Sequence, residues 1–238
     1  MTVNVGVIGV GMIGKDHIRR LTTVLAGANV VAVTDVNLDE AKKVADGLTN
    51  AQVHSTGQEL IADEKVDAIV VCSWGPTHEE YVLAAIAAGK PVFCEKPLAT
   101  SQEACLRIID AEVAFGKRLV QVGYMRRYDR AYRALKAVVD SGEIGTPLIM
   151  HCTHRNPVVP GHYTKDMAIT DTAVHDIDIA AYDVEFQEWI DGVRDGGTYG
   201  PSSWDGYAAA VVSDAAVESI KVGTRTSVKM AEKPDLYN

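Results

Sequence analysis

Over the first 123 residues, short apolar runs alternate with segments whose apolar positions recur at helical spacing. Val3 to Ile8 has the character of a buried strand, and Met12 to Leu25 that of an amphipathic helix. Val30–Thr34 predicts a second strand, followed by a helix from about Leu38 to Leu48. A weak strand at Gln52–Ser55 and a short helix at Gly57–Asp63 come next. Asp67–Ser73 (DAIVVCS) is a nearly continuous apolar, Val- and Ile-rich run, the mark of a central parallel strand. Pro76 and Thr77 open a helix to about Ala88, which Gly89 ends. Pro91–Glu95 is a further strand. Thr100 or Ser101 caps a helix to Phe115, with Glu103 placed as a capping-box partner. Arg118–Gly123 is the sixth strand. This βαβ succession predicts a doubly wound parallel sheet, whose ligands sit at the carboxyl ends of its strands.

Beyond Gly123 the pattern changes. Tyr128–Ser141 is amphipathic and helical, and Thr146–His154 reads as one strand. Residues 155–166 form a loop rich in Pro, Gly and His. Val174, Ile177, Ala181, Val184, Ile190 and Val193 keep helical spacing, which predicts one long helix over 170–195. Trp204–Gly223 is a second, Ala-heavy helix with a buried character. Ser227–Met230 alternates as a short terminal strand would. The expected organisation is therefore an α/β unit over residues 1–123 and a reduced, mostly helical part over 124–238.

The first strand and helix meet at Gly9-Val10-Gly11-Met12-Ile13-Gly14, a G-x-G-x-x-G. Gly9 permits a tight turn, Gly11 lets backbone approach a pyrophosphate, and Gly14 allows close packing of the new helix. The amides of Met12 and Ile13 and the positive end of that helix suit phosphates. Asp35 ends the second strand about 20 residues on, where a carboxylate bonds ribose hydroxyls. Its charge would repel a 2′-phosphate, so NAD is the expected cofactor rather than NADP. A fold of this kind with this loop is a Rossmann domain.

Composition narrows the field. The chain has 238 residues, 47% of them hydrophobic, and a formal net charge of −9. The acidic balance and the lack of a basic run argue against nucleic-acid binding. The longest apolar runs have strand length, so no membrane helix is expected. No signal peptide is visible, and Cys72, Cys94, Cys105 and Cys152 show no CxxC spacing. A reduced, cytoplasmic enzyme is the expected setting, with neither a zinc site nor a disulfide framework.

The carboxyl-end loops hold the candidate chemistry: Ser73, Trp74 and His78 after the fourth strand, Glu95 and Lys96 after the fifth, and Arg126 after the sixth. Lys96 can hydrogen-bond a substrate hydroxyl, although a surface lysine after a strand is common. Asp171 and His175 are four residues apart, which places them on one helix face. A carboxylate can fix the tautomer of a histidine, and histidine is a natural base for an alcohol proton. An exposed i,i+4 pair would look the same. His154 and Asn156, leaving a strand, suit polyol contacts or local capping equally.

Taken together these residues resemble the Gfo/Idh/MocA oxidoreductases, particularly their inositol 2-dehydrogenase branch. The matching text is VIGVGMIGKDHIRRL, CSWGPTHEEYVLAAIAAGKPVFCEKPLA, GYMRRYDRAYRALK, HCTHRNP and DTAVHDIDIA. Glu95-Lys96-Pro97 matches the EKP motif of the family and Asp171 with His175 its D-x-x-x-H. The resemblance implies hydride transfer from a cyclic polyol such as myo-inositol to NAD. His175 would take the hydroxyl proton, oriented by Asp171, with Lys96 sharing the hydrogen-bond network. Arg126, His154 and Asn156 would hold other ring hydroxyls. No metal is implied, because the cofactor carries the redox chemistry.

The chain also departs from that family. Members carry a large, mainly antiparallel sheet after the D-x-x-x-H helix. Here Ile179-Ala180-Ala181 runs almost directly into Tyr182-Asp183-Val184. The join is in helical register, which points to an internal deletion that fuses two helices. A naturally shortened relative, or a sequence given with residues omitted, would read the same. In the family that sheet floors the substrate pocket and supplies much of the oligomer interface. A homo-oligomer, with a new dimer interface over the uncovered apolar positions, is expected. The second reading of the whole chain is a non-catalytic NAD-binding scaffold.

Overall fold

The computed structural model describes residues 2–146, 148, 158, 161, 163, 164, 167–169 and 182–238, with the backbone alone for 182–186. The predicted strand over 146–154, apart from residues 146 and 148, and the first half of the predicted helix over 170–195 lie outside these residues, as do His154, Asn156, Asp171 and His175.

Six strands build one parallel sheet: β1 (Val3–Ile8), β2 (Ala28–Thr34), β3 (Gln52–Val53), β4 (Ala68–Val71), β5 (Val92–Glu95) and β6 (Val120–Gly123). Their order is β3-β2-β1-β4-β5-β6, which is the doubly wound arrangement. Every observed pairing is parallel. β4, β5 and β6 are buried throughout, which explains why their sequences read as apolar runs rather than alternations.

The helices cover both faces. α1 (Met12–Thr23) and α2 (Leu38–Asp46) lie on one side, where Val5, Val7, Val70 and Phe93 point. α3 (Gly57–Ala62), α4 (His78–Ala87) and α5 (Gln102–Phe115) lie on the other, over Ile69, Val71, Val92 and Val122. A 3-10 turn at Met125–Tyr128 leads to α6 (Arg130–Asp140), whose first amides are capped by the Asp129 carboxylate through Ala131 and Tyr132. No residue of α6 is buried.

The last helices return to the sheet. α7 (Tyr182–Arg194) sends Trp189 and Ile190, both fully buried, into the face beneath α1. The Trp189 ring meets Phe93 edge-on at 5.8 Å. α8 (Ser203–Val222) packs Tyr207, Ala209 and Val211 against the opposite face, chiefly along α5. The edge of β6 is closed by residues 201–202: Val122 N donates to Pro201 O, and Gln121 bridges Ser202. The chain ends with Tyr237 buried in the core on the α8 side.

Three sequence expectations give way here. Ser227–Met230 is not a strand; Val228 and Met230 stay about half exposed, and residues 226–229 line a cleft with α8. The N-cap of α5 is Ser101, whose hydroxyl accepts from Ala104 N. Glu103 therefore falls one position short of a capping box. The predicted helix from Tyr128 is also split, since Asp129 adopts extended backbone and restarts it.

Candidate active site

The glycine loop differs at each of its three positions. Gly9 has φ +95°, and a Cβ there would lie 2.6 Å from the Cys72 backbone. Gly14 has ordinary backbone, but a Cβ on it would sit 2.0 Å from the Gly9 carbonyl oxygen. These two are glycines for the fold's own sake. Gly11 is not: its φ is −66°, and a Cβ would meet nothing within 4 Å. It leaves open space at the start of α1, where no side chain caps the helix and no acid occupies the first turn. The unpaired amides of that turn therefore face a cradle suited to a phosphate. Asp35 braces the loop from β2. Its Oδ2 accepts from Val10 N at 2.7 Å and its Oδ1 from Asn37 N at 2.9 Å.

Two clefts flank the loop and share Cys72 and Ser73. The first, about 370 Å³, is lined by Gly9, Gly11, Asp35, Val36, Thr77 and Tyr81 among others. The second, about 480 Å³, is lined by Met12, Ile13, Trp74, His78, Glu95 and Lys96. A two-part cleft astride a phosphate cradle fits the two halves of a dinucleotide. Of the residues expected at the cofactor, Gly9, Gly11, Met12, Ile13, Asp35, Ser73, Trp74, His78, Glu95 and Lys96 all line one cleft or the other. Gly14 packs beneath them.

Glu95 ends β5 almost fully buried. Burial works to raise its pKa, yet the hydrogen bond from His17, the attraction of His17 and Lys96, and the Lys96 amide together hold it below the usual carboxylate value. His17 Nε2 lies 2.8 Å from Glu95 Oε1. Lys96 N donates to Glu95 Oε2 at 3.2 Å, so the carboxylate fixes the backbone that presents the Lys96 side chain. The Cys72 and Cys94 thiols are pushed well up, by burial first and by Glu95 next. Neither is a thiolate nucleophile at neutral pH.

Arg126, expected at the substrate, stands in the turn after β6 with its guanidinium 5.4 Å from the Tyr132 ring centre. Sequence reasoning missed Tyr81, which lines the first cleft from α4, and Met167, which reaches the second. Helical position alone carries no signal for such lining. Among the described residues no group of three or more His, Cys, Asp or Glu is arranged to hold a metal, and no helix is long and apolar enough to cross a membrane.

A doubly wound sheet with this loop, this brace and these clefts defines an NAD-binding oxidoreductase domain. Residues 3–124 match the family described as "Oxidoreductase family, NAD-binding Rossmann fold", and residues 132–189 match the "GFO/IDH/MocA C-terminal domain". The chain belongs to the Gfo/Idh/MocA oxidoreductase family, and its cofactor is NAD. Curated relatives include the inositol 2-dehydrogenases of Pseudomonas syringae pv. syringae and Burkholderia cenocepacia. Each is 42% identical over 336 positions; the alignments cover all of this chain and 100% and 99% of those proteins. The aligned span exceeds the 238 residues present here, so both relatives carry residues that this chain does not. Among solved structures, a myo-inositol dehydrogenase from Lactobacillus casei in complex with NAD(H) and myo-inositol is 32% identical, with TM-score 0.94 over all of both chains. A putative myo-inositol dehydrogenase from Sinorhizobium meliloti, 20% identical with TM-score 0.80, shares the fold over 96% of this chain and 100% of its own.

Proposed function

We propose that the chain descends from, and is organised for, NAD-dependent oxidation of a cyclic polyol, myo-inositol to its 2-keto form. The observation that supports the reading is Lys96, which lines the second cleft beside a buried, hydrogen-bonded Glu95. The similarity to the L. casei enzyme supports the choice of polyol. NAD, when bound, supplies the hydride acceptor. In this reading Lys96 bonds the reacting hydroxyl, His175 takes its proton, and Asp171 orients His175. Arg126, His154 and Asn156 hold further hydroxyls.

The division of labour proposed is a cofactor unit over 1–123 and a shortened substrate-facing part over 124–238, with α7 and α8 serving the first by their packing. Self-association is part of the reading, supported by Leu135 and Val138, which stay exposed on α6. A cytoplasmic setting accords with the free thiols of Cys72, Cys94 and Cys105.

A second reading, a cofactor-binding protein without turnover, is favoured by the residues that its relatives have and this chain lacks. One experiment separates the two. NADH formation is followed by absorbance with NAD and myo-inositol, beside Lys96→Met. Turnover that vanishes in the variant supports the dehydrogenase. Absent turnover with NAD binding intact by calorimetry supports the second reading.

A further inference from the structure

The second cleft lies between two loops. One, residues 72–77, follows β4; the other, residues 96–101, follows β5 and carries Lys96. The first loop carries a 3-10 turn at Gly75–Thr77. The His78 side chain spans the two loops. His78, the first residue of α4, is 2% exposed. Its Nε2 lies 2.9 Å from the Ser73 carbonyl oxygen and its Nδ1 2.7 Å from the Pro97 carbonyl oxygen.

Both partners are carbonyl oxygens, which accept and never donate. A ring N–H therefore donates to one of them in either tautomer, while the other nitrogen is held against the second carbonyl.

We propose that His78 is a positioning residue: its buried ring, set between the Ser73 and Pro97 carbonyls, holds the Ser73 loop to the Pro97 loop and so sets the width of the cleft that receives the nicotinamide. It acts through the two carbonyls rather than by touching the cofactor with its nitrogens, which are both engaged. Its partner Pro97 is joined directly to Lys96, so the span also sets where the Lys96 side chain starts. The inference rests on the reading of this cleft as the nicotinamide half of the site.

The test uses two ligands and two variants. ADP-ribose fills the first cleft and the phosphate cradle; NADH fills the second cleft as well. Affinities of both are measured by calorimetry for the wild type, His78→Leu and His78→Gln. The expected result is a loss of roughly tenfold in NADH affinity for His78→Leu, with the ADP-ribose affinity held within about twofold. His78→Gln, whose amide keeps N–H donors, recovers part of the loss. Equal weakening of both ligands marks a merely structural role and overturns the proposal. So does an unchanged NADH affinity. A wild type that binds NADH no better than ADP-ribose overturns the reading of the cleft itself, and the proposal with it. Should His78→Leu fail to fold, His78→Gln decides alone: a lowered NADH affinity with the ADP-ribose affinity held supports the bridge, and an unchanged NADH affinity refutes it.

Discussion

Glu112 is the test of how the end of the chain is held. It lies on α5 with no exposure to solvent. Its Oε1 accepts from Leu119 N at 2.5 Å and Val120 N at 2.9 Å, at the start of β6. Its Oε2 accepts from the Ser203 hydroxyl, at the start of α8, and from the Tyr237 hydroxyl at 2.9 Å. Burial, and then the Glu112 charge, drive the Tyr237 phenol far above its ordinary pKa. One carboxylate thus joins a helix, a strand, a second helix and the last residues of the chain. In Glu112→Leu the two amides lose their acceptor, at about 1–3 kcal/mol each. The two hydroxyls lose less, because Ser203 Oγ and Tyr237 OH lie 2.9 Å apart and still bond each other. The expected cost is about 3–5 kcal/mol, a large share of the roughly 5–15 kcal/mol that a domain has. Glu112→Gln keeps an oxygen for the amides and turns its NH2 toward hydroxyls that rotate to accept, so about 1 kcal/mol is expected. Urea unfolding reads both, and the midpoint of Glu112→Leu should fall by about 1–2 M at unchanged slope. A Leu variant within about 0.3 M of the wild type, or a Gln variant as unstable as the Leu variant, would refute the reasoning.

Three further outcomes follow from the same structure. Gly11→Asp should leave the unfolding midpoint unchanged, because its Cβ meets open space, while NAD affinity falls at least about tenfold by calorimetry; Gly14→Ala should lower the midpoint, because its Cβ strikes the Gly9 carbonyl. Glu95 has a depressed pKa, so its contribution to stability is present above the ordinary value of 4.5 and is lost as pH falls below that toward its folded value. The acid limb of a stability–pH curve should therefore flatten in Glu95→Gln, and an unaltered limb would count against the His17 pairing. Ser101→Ala should cost about 1 kcal/mol of stability and Thr100→Ala close to none, since the capping bond belongs to Ser101; equal costs in thermal melts would move the cap.

Legibility followed the range of the interactions. The glycine loop, Asp35 and the central strands were readable because a turn, a carboxylate at a strand end and a doubly buried strand are local patterns. The second function of Asp35, holding the Val10 amide, was not readable, since it joins residues brought together by pairing of β1 with β2. Trp189 was read as part of an amphipathic helix, but its place against Phe93 depends on a crossover from nearly 100 residues away in sequence, at a distance periodicity does not reach. Glu112 looked like any polar residue of a helix; its burial is created by β6, α8 and Tyr237. The Ser227–Met230 alternation had the right period, but residues 226–229 lie along a cleft with α8 instead of pairing with a strand. Of the expected site, the residues after β1, β2, β4 and β5 line the two adjoining clefts, Arg126 after β6 is in the lining of neither, and Asp171, His175, His154 and Asn156 fall outside the described residues.

The return of α7 and α8 to opposite faces of the sheet also has a bearing on synthesis. A ribosome emits β1 first and α8 long afterwards, at about 5–20 residues per second. All six strands have emerged by Gly123, but Phe93 is without Trp189 and Glu112 without Ser203 and Tyr237 until those later residues follow. The nascent sheet therefore waits, with apolar surface uncovered on both sides, for α7 and α8. Chaperones that shield apolar surface have that interval in which to act.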